Sequence, residues 1–395
     1  MAAASNGNEK TAEAKVAHNT MKRYCKNIDI TSMPFIESAV FACLAKKCKR
    51  ERHDTVKLFA RICSCSTSEA YGILMQRDER YGAAVQKIAR IMRREILRGQ
   101  LTLPPIHVKA KHDGDSGKIR KISVQHIWQL LYDHVAVIAM RELNKLMGEH
   151  QVSGRKGMGG AYGQKLVCKW VQRSSKRVYF VKLDIKHYYE SVNTERLMTW
   201  VERRVKNPRL MWLIRTLTAT GESGLNIGSY LSHFLANLYL SDVWHFAMQR
   251  AEGVKHALFY MDDLLLIGSN KRRLRKAVYA IIERIELTKG LQVKPNWFIR
   301  ACSTERPIDI MGIRFSPRRQ TLRKRIFRRA RRAFLRLARF MRHHAKASRK
   351  LARRVASYNG WFSRTDCKNF LSRIRAAIVM KVASNIINYQ PAQAT

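Results

Sequence analysis

Apolar residues recur at steps of three and four along much of residues 21–100. This spacing puts them on one face of a helix, so the pattern predicts a helical N-terminal extension over 21–88, with helix continuing to about 100. Ser66 and Glu69 are spaced as a capping box, which predicts that a helix begins there. Residues 1–20 show no apolar periodicity, and we expect a disordered tail.

The period changes at residue 105, where apolar and polar residues begin to alternate. Residues 105–124 read as strand, turn and strand, with the Gly- and Asp-rich HDGDSG as the turn. Residues 125–148 return to a helical pattern. The cations of the hairpin are Lys109, Lys111, Lys118, Arg120 and Lys121.

The next segments combine short apolar strands with helices. In chain order, the pattern predicts a strand over 177–184, helix over 195–219, one long helix over about 229–250, two strands around a tight turn over 257–268, an amphipathic helix over 271–287 and a short strand over 308–315. Asp184 ends the first of these strands, and Asp262 and Asp263 lie in the tight turn.

The composition and net charge of the chain exclude several classes of protein. The chain has 395 residues, 76 Lys and Arg against 29 Asp and Glu, a net charge of +47 and 46% hydrophobic residues. The apolar fraction is too high for wholesale disorder, and no apolar run is long enough to span a membrane. The N-terminus lacks the apolar segment of a secretory signal, so we expect a cytoplasmic protein. So strong a positive charge indicates a nucleic-acid partner.

The positive charge is densest over residues 318–354, which hold 17 Lys and Arg and no Asp or Glu. Apolar residues interrupt the block at helical spacing. A solvated basic face is possible, but one-sign blocks this dense resist folding without phosphate nearby, which favours a helix along a nucleic-acid backbone. The candidate contacts are Arg328, Arg329, Arg331, Arg332 and Arg336.

The eight cysteines are interpreted as reduced thiols, because the chain is long and has no secretion signal. Four of them and one histidine cluster in sequence: Cys43, Cys48, His53, Cys63 and Cys65. Their spacing fits no common zinc site. We therefore interpret these residues as small apolar residues on helices rather than as a structural zinc site.

The acids at strand ends carry the strongest chemical signal. A carboxylate beside a buried strand costs free energy unless it is paired, hydrogen-bonded or bound to metal. If the strands of Asp184 and Asp262 are neighbours, the two side chains can share a magnesium site, and two such ions stabilise an in-line displacement at phosphorus. Helix caps or salt bridges are the alternative roles for these aspartates. The acids, hairpin turn and basic charge together indicate nucleotidyl transfer.

Several segments resemble motifs of reverse transcriptases, over roughly residues 90–370. The segments are YFVKLDIKHYYESV (179–192), GLNIGSYLSHFLANLYL (224–240), FYMDDLLLIG (259–268), IDIMGIRF (308–315, as the primer-grip hairpin), GKIRKISV (117–124), VSGRKGMGGAY (152–162) and SYNGWF (357–362). The resemblance implies an α+β right-hand polymerase. Its expected parts are fingers over 89–175, a palm over 176–316 with a helical insertion over 195–223 toward the fingers, and a basic helical thumb over 317–395.

The resemblance also implies roles for individual residues. Two Mg²⁺ ions, which Mn²⁺ can replace, are expected at Asp184, Ile185, Asp262 and Asp263. Tyr189 matches the steric gate that excludes a ribose 2′-hydroxyl, and Lys294 matches a lysine that protonates departing pyrophosphate. The residues expected at the incoming dNTP are Tyr189, Ile227, Gly228, Arg120 and, as partner of Arg120, either Lys109 or Lys111. Arg155 and Lys156 are expected at the nucleic acid, although a loop arginine in solvent is the plainer reading of Arg155.

The segment over residues 224–240 resembles the second palm motif of the family, and its sequence indicates which subfamily of reverse transcriptases the chain resembles. Most reverse transcriptases have Gln before the motif's Gly, whereas diversity-generating retroelement enzymes have an aliphatic residue, as Ile227 is here. His233 stands where that subfamily has Gln. This resemblance implies bacterial or phage origin, error-prone copying of a template RNA into cDNA and a small basic accessory variability protein as partner. One alternative is an antiphage defence protein that synthesises DNA without a template or acts through partners. The other is an idle RNA chaperone, which the intact acids disfavour.

Overall fold

The computed structural model describes residues 22–47, 53–112, 119–221, 224–343 and 347–388. The predicted tail, Cys48 and the hairpin turn at 113–118 lie outside them. The helices are α1 (Met33–Lys47), α2 (His53–Cys63), α3 (Thr67–Gln76), α4 (Glu79–Arg98), α5 (Ile127–Ala139), α6 (Gly160–Gln172), α7 (Tyr188–Ser191), α8 (Thr194–Glu202), α9 (Pro208–Thr218), α10 (Tyr230–Tyr239), α11 (Ser241–Gln249), α12 (Lys271–Lys289), α13 (Lys324–Arg342), α14 (Arg349–Phe362), α15 (Lys368–Arg373) and α16 (Ala376–Asn388). The strands are β1 (His107–His112), β2 (Ile119–Val124), β3 (Tyr179–Asp184), β4 (His256–Tyr260), β5 (Asp263–Gly268), β6 (Arg300–Ala301), β7 (Ile308–Ile310), β8 (Ile313–Phe315) and β9 (Gln320–Leu322).

The N-terminal helices form as the apolar spacing predicts. The capping box before α3 is confirmed: the Glu69 N–H donates to Ser66 Oγ at 3.2 Å, and the Ser66 N–H donates to Glu69 Oε2 at 2.9 Å. Helix α1 packs on α4 and α5, so the extension shares one core with the segment after the β1–β2 hairpin. Cys43 is fully buried in that core.

The central sheet has the strand order β4-β5-β3-β6, with antiparallel neighbours. Alternate residues of a strand point to opposite faces. In β5, Leu264 and Leu266 join the core of the N-terminal helices and of α10–α12, whereas Leu265 and Ile267 join the core of α6 and the C-terminal helices. The sheet therefore separates two cores and is buried on both faces along most of β5.

Three elements of the structure differ from the sequence prediction in where they begin, end or divide. The long helix over 229–250 is divided at Leu240, where the Ser241 hydroxyl donates to the Leu238 carbonyl at 2.7 Å and competes with the helical ladder. The helical segment 195–219 is two helices, because the Asn207–Pro208 step begins a new helix at α9. The strand predicted over 308–315 is a hairpin, and β9 extends it to three strands inside the segment expected to be wholly helical.

A buried carboxylate holds the start of α10. Asp133 Oδ2 accepts the Ser229 hydroxyl at 2.9 Å and the N–H groups of Tyr230 and Leu231 at 3.1 and 3.3 Å. These two N–H groups lack partners within the helix, so the carboxylate caps α10 from another helix. Burial raises the pKa of Asp133 to about 6, although the hydrogen bonds it accepts act in the opposite direction.

Within the described residues, no helix is long and apolar enough to cross a membrane.

We expect the cost of ionising Asp133 to appear as a pH-dependent stability. Because its folded pKa lies above the unfolded value of 3.8, the folded state binds more protons between pH 4 and 6, and this contribution to stability falls as pH rises. Asp133→Asn removes the titration. Relative to wild type, its free energy of unfolding should rise by about 2 kcal/mol from pH 4 to pH 7 in urea titrations. A difference that does not change with pH would contradict this interpretation.

Candidate active site

The pairing of β3 with β5 brings acids together at one end of the central sheet. The register pairs Asp184, the last residue of β3, with Asp263, the first residue of β5. Asp262 lies in the turn before β5, after Met261, whose φ is +58°. The Ile185 N–H donates to the Asp262 carbonyl at 3.3 Å, which fixes the turn against the chain leaving β3. The direct cross-strand partner of Asp184 is therefore Asp263, with Asp262 one residue earlier.

Two lysines offset the charge of the paired carboxylates. Lys294 Nζ lies 2.6 Å from Asp184 Oδ1, and Lys182 Nζ lies 3.7 Å from Asp263 Oδ1. The Lys294 N–H also donates to the Asp184 carbonyl at 2.9 Å, so backbone and side chain attach this lysine to the same residue. Lys182 was not identified from sequence, although its place two residues before Asp184 puts both side chains on one face of β3.

The donor set is suited to a hard divalent cation. Carboxylate oxygens are the ligands that such cations prefer, and Asp184 is 41% exposed, so it is accessible from solvent. Both paired carboxylates already face a positive ammonium group. Among the residues that the structure describes, no three His, Cys, Asp or Glu side chains form a metal-binding group by themselves. A cation at this end of the sheet would therefore need oxygen ligands beyond these side chains, such as substrate phosphates.

Two adjacent tyrosines follow the β3 end, and their environments differ. Tyr188 is buried, and its hydroxyl donates to the Ala236 carbonyl at 2.6 Å. Tyr189 is half-buried. Burial raises the pKa of its hydroxyl, and the negative charge of Asp262 has a smaller effect in the same direction. The charge of Asp262 acts on both hydroxyls, but of the two rings only Tyr189 has access to solvent.

The turn before α10 lies against the β1–β2 hairpin. The Ser123 N–H of β2 donates to the Ile227 carbonyl at 2.9 Å. Gly228 has φ +111°, and a Cβ there would lie 2.7 Å from the Ser123 carbonyl oxygen, so this position requires glycine. The Ile227 side chain is half-buried. This contact connects the hairpin with the turn that precedes α10.

The hairpin register bears on the expected nucleotide contacts. Lys111 pairs with Arg120 in the backbone, whereas Lys109 pairs with Ile122. The side chain of Lys109 is exposed. The register thus places Lys111, rather than Lys109, directly across from Arg120.

The loop before α6 carries two cationic side chains, Arg155 and Lys156, which have different environments. Arg155 Nη1 donates to the Gly148 carbonyl at 2.7 Å and to the Gln151 carbonyl at 3.3 Å, which fixes the loop on its own backbone. Lys156 is exposed. A nucleic-acid contact by Arg155 would have to use the rest of its guanidinium, and that role remains a prediction.

A cationic cleft lies between α13 and α14. Its volume is about 470 Å³, and its lining consists of Arg329, Arg332, Ala333, Arg336, Leu351, Arg354 and Tyr358. Ala333 and Leu351 are buried and form an apolar floor. No carboxylate is among these described lining residues, so the cleft favours an anion. Three predicted arginines line it, whereas Arg328 and Arg331 do not.

Arg354 and Tyr358 are the lining residues that sequence analysis missed. Their spacing from Leu351, at three and seven residues, places all three on one face of α14. That spacing was available in the sequence. Which face of α14 turns toward α13 depends on tertiary packing.

The fold and the site define the class. An antiparallel sheet carrying acids at one end, a basic hairpin and basic helices are the parts of a right-hand polymerase, and the α+β class is confirmed. A family model, "Reverse transcriptase (RNA-dependent DNA polymerase)", matches residues 109–315, more than half of the chain. The chain belongs to the reverse transcriptase family, and the predicted nucleotidyltransferase class is confirmed.

Solved structures give more distant similarities. The chain is 13% identical to a Candida albicans telomerase solved with a TWJ fragment of telomeric RNA, with TM-score 0.44, covering 74% of this chain and 60% of that one. It is 14% identical to a Candida tropicalis apo telomerase truncated from its C-terminal domain, with TM-score 0.40, covering 55% of this chain and 54% of that one. The chain thus spans about half to three-fifths of these telomerase chains. No curated protein matches the chain.

We expect the arginines that line the cleft to contribute more to RNA binding than the arginines of α13 that lie outside it. Replacing Arg332, Arg336 and Arg354 by Gln should weaken RNA binding and flatten its salt dependence by about 0.7–0.9 in log–log slope per lost phosphate contact. The matched control replaces Arg325, Arg328 and Arg331, which removes equal charge outside the cleft. Binding isotherms at several salt concentrations measure both. Equal slopes for the two triple variants would show that the cleft does not hold phosphate.

Proposed function

We propose that this chain synthesises DNA on an RNA template by metal-dependent nucleotidyl transfer at the Asp184–Asp263 end of the central sheet. The observation that carries the proposal is the cross-strand pair of Asp184 and Asp263, with Asp262 in the adjoining turn, in a member of the reverse transcriptase family. The substrates are dNTPs, template RNA and nascent cDNA.

The three aspartates supply the negative charge of the reaction centre. Asp184, Asp262 and Asp263, with the Ile185 backbone and substrate phosphates, would hold the divalent cations, two Mg²⁺ or Mn²⁺. When bound, the cations stabilise charge on the attacking and leaving oxygens of an in-line displacement. The turn and strand ends fix these residues before substrate arrives, so little free energy is spent on arranging them.

Lys294 and Tyr189 act at opposite ends of the nucleotide. The ammonium of Lys294, now 2.6 Å from Asp184, gives a proton to the pyrophosphate as it departs. The ring of Tyr189 lies under the sugar and overlaps a 2′-hydroxyl. Gly228 lets the backbone approach the new base pair, and Lys111 and Arg120 of the fingers bind the triphosphate.

The basic C-terminal helices hold the copied duplex. Phosphates enter the cleft between α13 and α14, where Arg332, Arg336 and Arg354 surround an apolar floor. Contacts to phosphate carry no base information, so this cleft binds all sequences alike. These helices form the thumb, and the hairpin and the loop with Lys156 belong to the fingers.

Asp262→Asn tests the metal assignment. We expect dNTP incorporation to fall about 1,000-fold, because losing a metal ligand costs several kcal/mol of transition-state stabilisation. RNA binding should stay unchanged, because it rests on Lys and Arg elsewhere. The matched control is Asp366→Asn, which alters a carboxylate that accepts the Gln320 N–H within the thumb segment and should leave incorporation near normal. Near-normal incorporation by Asp262→Asn at saturating Mg²⁺ would rule out the metal role of Asp262.

We further propose that the product is error-prone cDNA of a diversity-generating retroelement, copied with mistakes at adenines and with a small basic accessory variability protein as partner. The support is Ile227, an apolar residue at the turn beside Gly228, where most of the family has Gln. An aliphatic side chain there packs against the nascent pair and offers it no hydrogen bond. His233 departs from the subfamily pattern, and the alternative function is that of an antiphage defence protein.

Ile227→Gln separates these two functions. A restored polar contact is worth about 1–3 kcal/mol, so misincorporation opposite template adenine should fall about five- to a hundredfold, and more than opposite other bases. Ile227→Leu, which stays apolar, should keep the wild-type error pattern. Sequencing of cDNA copied from one defined RNA measures the misincorporation frequency opposite each template base. Wild-type copying of adenine as faithfully as other bases would exclude the retroelement function and favour the defence function.

A further inference from the structure

One imidazole bridges two side chains beside the candidate active site. His233 lies in the first turn of α10. Its Nδ1 is 3.4 Å from the Tyr189 hydroxyl, and its Nε2 is 3.3 Å from the Ser153 hydroxyl. The ring thus connects the helix after β3 with the loop before α6.

The imidazole has little room to move. The His233 N–H donates to the Ser229 carbonyl at 3.2 Å, and the Asn237 side chain donates to the His233 carbonyl at 3.0 Å. Gly154 has φ +68°, and any side chain there would overlap the ring. Burial lowers the pKa of His233, which favours the neutral ring, with one nitrogen donating and the other accepting. Such a ring can hold both hydroxyls at once.

The contact with His233 lies at the far end of the Tyr189 side chain. Its backbone is fixed, because the Leu225 N–H donates to the Tyr189 carbonyl at 2.7 Å. Its ring meets Tyr188 edge-on at 5.9 Å between centroids. The ring also packs against the core of the N-terminal helices, and the hydrogen bond at the hydroxyl adds a restraint at its far end.

We propose that His233 is a positioning residue for sugar selection: through the Tyr189 hydroxyl it holds the ring where a ribose 2′-hydroxyl would collide with it. Ser153 holds the imidazole from the other side and thereby connects the loop before α6 to the selection step. The inference rests on the proposed function, because the ring reads the sugar only if the nucleotide lies over Tyr189.

Two isosteric substitutions separate the contacts of His233. The side-chain amide of Asn reaches the place of Nδ1, beside Tyr189, and that of Gln reaches the place of Nε2, beside Ser153. The full-length chain extends a primer on RNA, and the ratio of kcat/KM for rNTP and dNTP is measured. His233→Ala and His233→Gln should raise this ratio about tenfold through a lower KM for rNTP, while His233→Asn keeps it near wild type. Equal ratios for all three variants and wild type, with normal dNTP use, would overturn the proposal.

Tyr189→Phe tests whether His233 acts through the hydroxyl. The single variant should raise the ratio as His233→Ala does, and the double variant should raise it no further. Additive effects would overturn the proposal. His245→Ala is the matched control, because it removes an imidazole whose Nε2 lies 3.1 Å from the Leu146 carbonyl, and it should leave the ratio unchanged.

Tyr189→Ala distinguishes this inference from the proposed function. It deletes the ring and should raise the ratio more than any His233 variant. If Tyr189→Ala raises the ratio and the His233 variants do not, only the role of His233 is wrong. If Tyr189→Ala has no effect, or wild type incorporates no nucleotide, the assignment of the active site itself is wrong.

Discussion

The antiparallel pairing of β3 with β5 determines where the chemistry of this chain can occur. It places Asp184 across from Asp263, and the ammonium groups of Lys294 and Lys182 offset the repulsion between the two carboxylates. The apolar residues of both strands are buried in the two cores, so a slip by one residue would move the acids to the wrong face and expose apolar side chains. The core packing of the sheet thus fixes the register that builds the candidate active site.

The parts of the fold that follow from local pattern were predictable. The acids at strand ends, the hairpin over 105–124 and the capping box at Ser66 are each encoded within a few residues. The break at Leu240 was missed because a single serine hydroxyl competes with an otherwise helical pattern. Asp133 was missed because its partners lie almost a hundred residues away, and only the packing of α5 on α10 brings them together.

The candidate site was predictable to a similar degree. Asp184, Asp262 and Asp263 were identified from sequence, and the structure gathers them at one end of the sheet. Lys182 and Arg354 were missed, since a lysine or arginine in a chain of charge +47 carries no signal of its own. Only the folded structure shows which groups face them: Lys182 faces a carboxylate, and Arg354 faces other arginines around a cleft. The domain boundaries and the remaining residue roles stay predictions.

The central claim is that this chain copies RNA into DNA with a divalent cation at the β3–β5 end. The most direct measurement gives the purified chain a defined RNA, a primer and four dNTPs, with Mg²⁺ or with a chelator, and sequences the product. We expect DNA complementary to the RNA, formed only with both Mg²⁺ and template. DNA made equally well without the RNA, or in the presence of the chelator, would contradict the claim.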